Sequence, residues 1–325
     1  MKTKLQLIIL LISTLLSTQG CDDQNSEAKG RIIVQLDAED LIIEGLSSGS
    51  SPNQIQDGWS VQFDRYLVTL GGVVVRRAGE SSRATDPSQI VLDLSSLPTS
   101  GLELWSIEDL GEGRWDFFYE SQALTGGGTR HQSVNEADFD EMQSSGWTYL
   151  IEGQLTQEDG KSCPPSSLAE PGDAVPLMET EGENPCYAVQ TIRFRFGAQA
   201  ATQYGPCEVD GLSGVSVTAN QSRIASISIH GDHLFFNGFP EGDEGGIIRL
   251  AQWLADCDLN LDGEVTQTEL EQISPDLLPE LDDRFQIGGA PISPLENMYE
   301  YVRAQLMTQG HFQGEGECPL KTVTP

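Results

Sequence analysis

Through the first two thirds of the chain, apolar residues tend to alternate with polar ones at a period of two. Trp59-Ser-Val61-Gln-Phe63 alternates cleanly, and Leu67 to Val75 is β-branched and apolar around Gly71-Gly72. Further strand candidates are Ile90–Leu94, Leu102–Ile107, Trp115–Tyr119, Trp147–Leu155, Ala188–Phe196, Val215–Ala219 and Ala225–Ile229. In Ala188–Phe196, Ile192, Phe194 and Phe196 share one face while Thr191, Arg193 and Arg195 share the other. One apolar and one wet face is the pattern of antiparallel sheet. Many such strands between Gly-, Ser- and Asp-rich loops predict a mainly β fold, an antiparallel β-sandwich or open barrel, over residues 31–240. Glu136–Ser145 reads as a short helix between strands, and the Pro-, Ser- and Glu-rich residues 164–185 read as an insertion between two strands.

After Pro240 the period changes. Ile247, Leu250, Ala251 and Leu254 fall on one helical face, which predicts a helix over Gly246–Asp256. Ser293-Pro294-Leu295-Glu296 has the form of a capping box with Pro at the first helical position. The helix it opens would carry Met298, Tyr299, Val302 and Leu306 to a stop at Gly310. Residues 241–325 are therefore expected to form an α-helical C-terminal segment.

The N-terminus reads as an address. Lys2 and Lys4 precede an apolar stretch from Leu5 to Leu16 and a small-residue end at Gly20, the pattern of a secretory signal peptide over residues 1–20. Cleavage before Cys21 would resemble lipoprotein processing, with Cys21 lipidated and residues 21–30 a polar tether; the alternative is plain secretion with Cys21 an ordinary thiol. Thr18 stands three before the Cys, where such signals usually carry Leu. Five cysteines follow, and outside the cytoplasm they are expected to pair. Cys163 with Cys186 would close the insertion, and Cys207 with Cys318 would tie the β region to the chain's end. Cys257 is then left over, although spacing alone does not fix this connectivity.

Composition narrows the partners. The 325 residues carry 18 Lys+Arg against 50 Asp+Glu, a net charge of −32. Such a chain has little with which to displace counterions from phosphates, which argues against nucleic acid as a partner. It argues equally against a basic patch on an anionic membrane, leaving the lipid at Cys21 as the expected membrane contact.

One segment carries specific chemistry. Asp258-Leu-Asn260-Leu-Asp262-Gly263-Glu264-Val265-Thr266-Gln-Thr-Glu269 fits the twelve-residue calcium loop of an EF-hand. Asp258, Asn260 and Asp262 stand at positions one, three and five, and Gly263 at position six permits the sharp turn. Glu264 offers its carbonyl, Thr266 reaches the ion directly or through water, and Glu269 closes the shell with two oxygens. Leu261 departs from the small or polar residue usual at position four. A single such loop outside the cell fits a structural calcium ion better than sensing.

The histidines form a second candidate set. His230-Gly-Asp-His233 follows a strand and His311 follows a helix, so His230, His233 and His311 could gather around zinc or copper. The competing reading gives each ring an ordinary hydrogen bond. No nucleophile elbow, His-Glu-x-x-His or phosphate-binding glycine loop occurs, so no enzyme is expected.

Asp57-Gly-Trp59-Ser-Val-Gln-Phe63-Asp-Arg-Tyr-Leu-Val, Ile229-His-Gly-Asp-His-Leu-Phe-Phe and the Asp258–Glu269 loop together resemble a group of bacterial secreted lipoproteins. These combine a β-rich body with an acidic EF-hand-like loop near the C-terminus. The resemblance implies export across the inner membrane and a lipid anchor in the cell envelope, at the outer membrane; it supplies no activity. The expected function is a non-enzymatic, calcium-binding envelope lipoprotein. Two alternatives are a periplasmic copper or zinc protein built on the histidines, and an adhesion module with a protein or glycan partner.

Overall fold

The computed structural model describes residues 28–37, 39–98, 101–170, 177–181, 184–239 and 246–322. The expected signal segment, Cys21 and most of the tether lie outside the described residues. Among the described residues eighteen strands form, and twelve of them frame the two main sheets. They are β1 (Gly30–Asp37), β2 (Ser60–Arg77), β3 (Arg83–Asp93), β4 (Leu102–Leu110), β5 (Gly113–Ser121), β6 (Tyr149–Thr156), β7 (Thr191–Ala198), β8 (Thr202–Val209), β9 (Ser222–Ile229), β10 (Glu264–Thr266), β11 (Gly310–Phe312) and β12 (Leu320–Thr322). The smaller sheet runs β11–β9–β1–β4, and the larger follows β8–β5–β2–β6–β7–β10, with β3 on β2 and β12 on β8.

The alternating patterns bury one face of each sheet in a single core. Ile32, Val34 and Leu36 of β1 and Ala225, Ile227 and Ile229 of β9 share it with Val73 and Val75 of β2 and Phe194 of β7. Phe117 of β5 stacks on Phe312 of β11 at 5.3 Å, so side chains of the two sheets touch directly. On the outer face of the larger sheet a second cluster of Leu67, Val91, Leu150 and Met142 seats helix α1 (Glu136–Ser145). Asn135 caps that helix by accepting from the Asp138 amide.

The strand expectations need two corrections. Most of Trp59–Phe63, from Ser60 on, and Leu67–Val75 are parts of one strand, the 18-residue β2. Its first half pairs with β6 and its second with β5, and the exchange falls at Thr69. There the Thr69 amide donates to the Thr148 carbonyl while the Thr69 carbonyl accepts from the Gln122 amide. The sheets are also not purely antiparallel: β1 with β9 and β7 with β10 are parallel pairs.

The C-terminal segment differs more. It is not purely helical, because β10, β11 and β12 return to the sheets. The helix expected over Gly246–Asp256 shrinks to one turn, Gln252–Ala255. Arg249 instead bridges to Phe236 and Ile55 in extended form, so tertiary pairing overrides the local period. Helix α2 covers Met298–Met307, and its N-cap is Asn297, which accepts from the Glu300 amide, rather than Ser293. It ends at Thr308 rather than Gly310, which opens β11. Buried Met298, Tyr301, Val302, Ala304 and Leu306 seat α2 against the core, and the Tyr301 hydroxyl donates to the Phe236 carbonyl at 2.6 Å.

Disulfides join Cys163 to Cys186 and Cys207 to Cys318, while Cys257 is a buried thiol. Burial, and then the carboxylates of Asp256, Glu269 and Asp258, push the Cys257 thiol well above its usual range and leave it unreactive. Among the described residues no helix is long and apolar enough to cross a membrane.

Candidate metal centres

The turn that leads into the acidic loop is fixed from the residues just before β2. Asp57 accepts from the Ala251 and Gln252 amides at 2.6 and 2.8 Å, and the Trp59 indole donates to the Gln252 side chain at 2.9 Å. The loop that follows is built by its own polar side chains. Asp258 accepts from the amides of Asp262 and Gly263 at 3.2 and 2.9 Å. Asn260 accepts from the Asp262 amide and Asp262 from the Glu264 amide, each at 2.9 Å. These short-range bonds curl the backbone, with Asp258 buried and the Asn260 and Asp262 side chains exposed. Gly263 has φ +83°, which glycine adopts without strain.

The closing end of the loop is a capping box. Thr266 and Glu269 bond reciprocally, starting the short helix Gln267–Leu270. Glu269 is buried, its Oε1 accepting from the Leu259 amide at 3.0 Å and its Oε2 from the amide and hydroxyl of Thr266 at 2.9 Å. Each carboxylate oxygen has two lone pairs, so the two Thr266 bonds fill Oε2 while Oε1 keeps one lone pair beyond its bond to Leu259. Between the two ends Val265 is buried in β10 and pairs with Phe194 of β7. The Glu264 side chain is exposed.

The donors of this loop are all oxygens, the set a hard cation such as calcium prefers. Its electrostatics also favour a cation. Burial pushes the Asp258 carboxyl up to about 6, and the neighbouring Glu269 and Asp262 carboxylates push the same way against the loop amides.

Leu261, the departure at position four, adopts φ +57°. A left-handed conformation costs a residue with a Cβ about 1–2 kcal/mol, and Asn tolerates it better. Leu261→Asn is therefore expected to raise the melting temperature by a few degrees; a lower one would mean that Leu261 packing outweighs the backbone term.

The histidines meet as well. His230 follows β9 as the N-cap of the 3₁₀ turn Gly231–Phe235, His233 lies in that turn, and His311 stands opposite Ser228 where β11 pairs with β9. Ring centroids are 4.2 Å apart for His230 and His311, 5.3 Å for His233 and His311, and 5.6 Å for His230 and His233. Burial, and then His230 and His233, push the His311 imidazole down to about 2, so it is neutral at physiological pH. His131 lies outside the cluster, half-buried and 2.8 Å from the Ser133 hydroxyl.

Charged residues that the sequence did not single out surround the rings. Glu39 Oε1 is 3.4 Å from His230 Nδ1, and its Oε2 accepts from the Gly231 amide at 3.2 Å. Burial, and then Asp232, push the Glu39 carboxyl up to about 8. Asp232 and Arg249 form a buried ion pair, Arg249 Nε donating at 2.6 Å. The Asp within His230-Gly-Asp-His233 was the only local hint of this partner.

No family model matches the chain, and no curated protein or solved structure matches it.

Proposed function

We propose that the protein is a non-enzymatic, calcium-binding lipoprotein of the cell envelope in which calcium is structural. The observation that carries this reading is the Asp258–Glu269 loop, whose Asp258, Asn260 and Asp262 side chains brace the loop's own amides and whose Val265 is paired into the larger sheet. A calcium ion here would neutralise the loop's carboxylates and tie the turn after Gln252–Ala255 to the helix that Thr266 caps. Ligand that binds only the folded form stabilises it by mass action. Extracellular calcium modules hold the ion at about 10⁻⁴–10⁻³ M, which suits a site filled outside the cell. Two disulfides support a location outside the reducing cytoplasm. The anchor at Cys21 and placement at the outer membrane rest on the sequence and its lipoprotein resemblance.

The test is elemental analysis of the mature protein purified without chelator, with a Glu269→Gln variant beside it. One calcium per chain, lost in the variant, is expected. An absence of calcium, or equal calcium in both, overturns the loop as a site. Cys21→Ser should shift the protein from the membrane to the soluble fraction; continued membrane fractionation would refute the anchor.

A further inference from the structure

Three of the four histidines converge inside the fold from positions 230, 233 and 311, each with a ligand atom within 4.8 Å of the others. All three rings are buried, and burying polar rings side by side costs free energy unless their nitrogens are satisfied.

The nitrogens can be assigned from their partners. The Thr308 hydroxyl donates to the Gln305 carbonyl at 2.8 Å, so its lone pairs face His233 Nδ1 at 2.9 Å. A hydroxyl has one proton to give, so His233 Nδ1 is the donor there and the lone pair of the neutral ring sits on Nε2. His311 Nδ1 is buried with no hydrogen-bond partner among the described residues. His230 has an acceptor at each side, Glu39 Oε1 3.4 Å from Nδ1 and the Gly314 carbonyl 3.3 Å from Nε2. Both contacts are long, and whichever nitrogen keeps its proton, the other offers a lone pair in the neutral ring.

We propose that His230, His233 and His311 bind a divalent first-row transition metal, zinc or copper, through one nitrogen of each ring, with Glu39 as the positioning residue of His230. Imidazole nitrogens suit zinc and copper and are poor ligands for calcium, so this site and the acidic loop select different ions. Zinc takes imidazole nitrogen at about 2.0–2.1 Å, and three histidines are a recurring protein ligand set for it. A carboxylate against the second nitrogen of a ligating histidine fixes ring orientation and strengthens the ligand, the relation in which Glu39 stands to His230. Arg249 neutralises Asp232 beside the same ring, so the buried charge next to the ion is balanced. Four parts of the chain supply the cage: Glu39, the turn after β9, Thr308 after α2, and β11 with its following loop.

The experiment uses the full mature chain, stripped of metal and then reloaded separately with zinc, cobalt and copper. One transition ion per chain is expected in addition to calcium, with a tetrahedral cobalt spectrum and nitrogen hyperfine structure in the copper EPR signal. His311→Ala and His233→Gln should each lose stoichiometric binding, with folding checked by circular dichroism so that either variant can stand for the other. His131→Ala should bind as the parent does. Glu39→Gln should weaken binding roughly 10–100-fold and shift the copper EPR signal. Glu269→Gln should lose calcium and keep the transition metal, which separates this site from the acidic loop. Failure of the parent to bind any of the three ions overturns the proposal. So does undiminished binding in a folded His311→Ala or His233→Gln variant.

Discussion

Raising free calcium from zero to about 10 mM is expected to stabilise the intact protein by about 2.7 kcal/mol, the value for ligand at about 100 times its dissociation constant. For a chain of this size that is a rise of roughly 5–10 °C in melting temperature. The effect arises because Asp258 and Glu269 are buried together at the mouth of one turn, where a cation relieves both. Glu269→Gln keeps most of the side chain's volume and removes its charge, so its melting temperature should respond little to calcium. A calorimetric scan of both proteins, with chelator and at several calcium levels, decides the matter. Identical midpoints for the parent at every level would contradict a structural ion.

The larger loss is expected from the disulfide between Cys207 and Cys318, which closes a span of 111 residues. In the chain-entropy picture a loop of that length stabilises by about 4–5 kcal/mol, against roughly 3 kcal/mol for the 23-residue span of Cys163–Cys186. Cys207 lies in β8 beside β5, and Cys318 follows the loop that carries Gly314. A Cys207→Ser/Cys318→Ser double variant should melt roughly 10 °C below the parent. Replacing Cys163 and Cys186 should cost clearly less. The reverse ranking would show that the smaller loop constrains the native fold more than its length implies.

The strands were legible where alternation had a physical cause. Ile192, Phe194 and Phe196 are buried as their period demands, because β7 has core on one side only. The continuity of β2 was hidden at Asp64-Arg65-Tyr66, where the strict alternation lapses; there the pairing with β6 shifts register between Phe63 and Arg65 without ending the strand. The helix expected from Gly246 failed because Arg249 is drawn into bridges with residues far away in sequence. The Ser293 capping box failed because the same polar code recurs at Asn297, four residues on. The Thr266–Glu269 capping box was legible because its bonds are local. The gathering of the histidines was only partly so: His230 and His233 share one turn, but His311 arrives through β11 pairing, and Glu39 from the far end of the chain.

The parallel pairing of β1 with β9 also bears on how the protein is made. Residues Arg31–Asp37 lie in register with Ser222–Ser228, so the first strand among the described residues waits for a partner almost two hundred residues later. Until then β1 has only β4 and shows a bare edge of unpaired amides and carbonyls, the kind of template that recruits other chains. High contact order of this type makes folding slow. The smaller sheet is thus completed late during synthesis, and a truncated chain ending before Ser222 should be prone to aggregate.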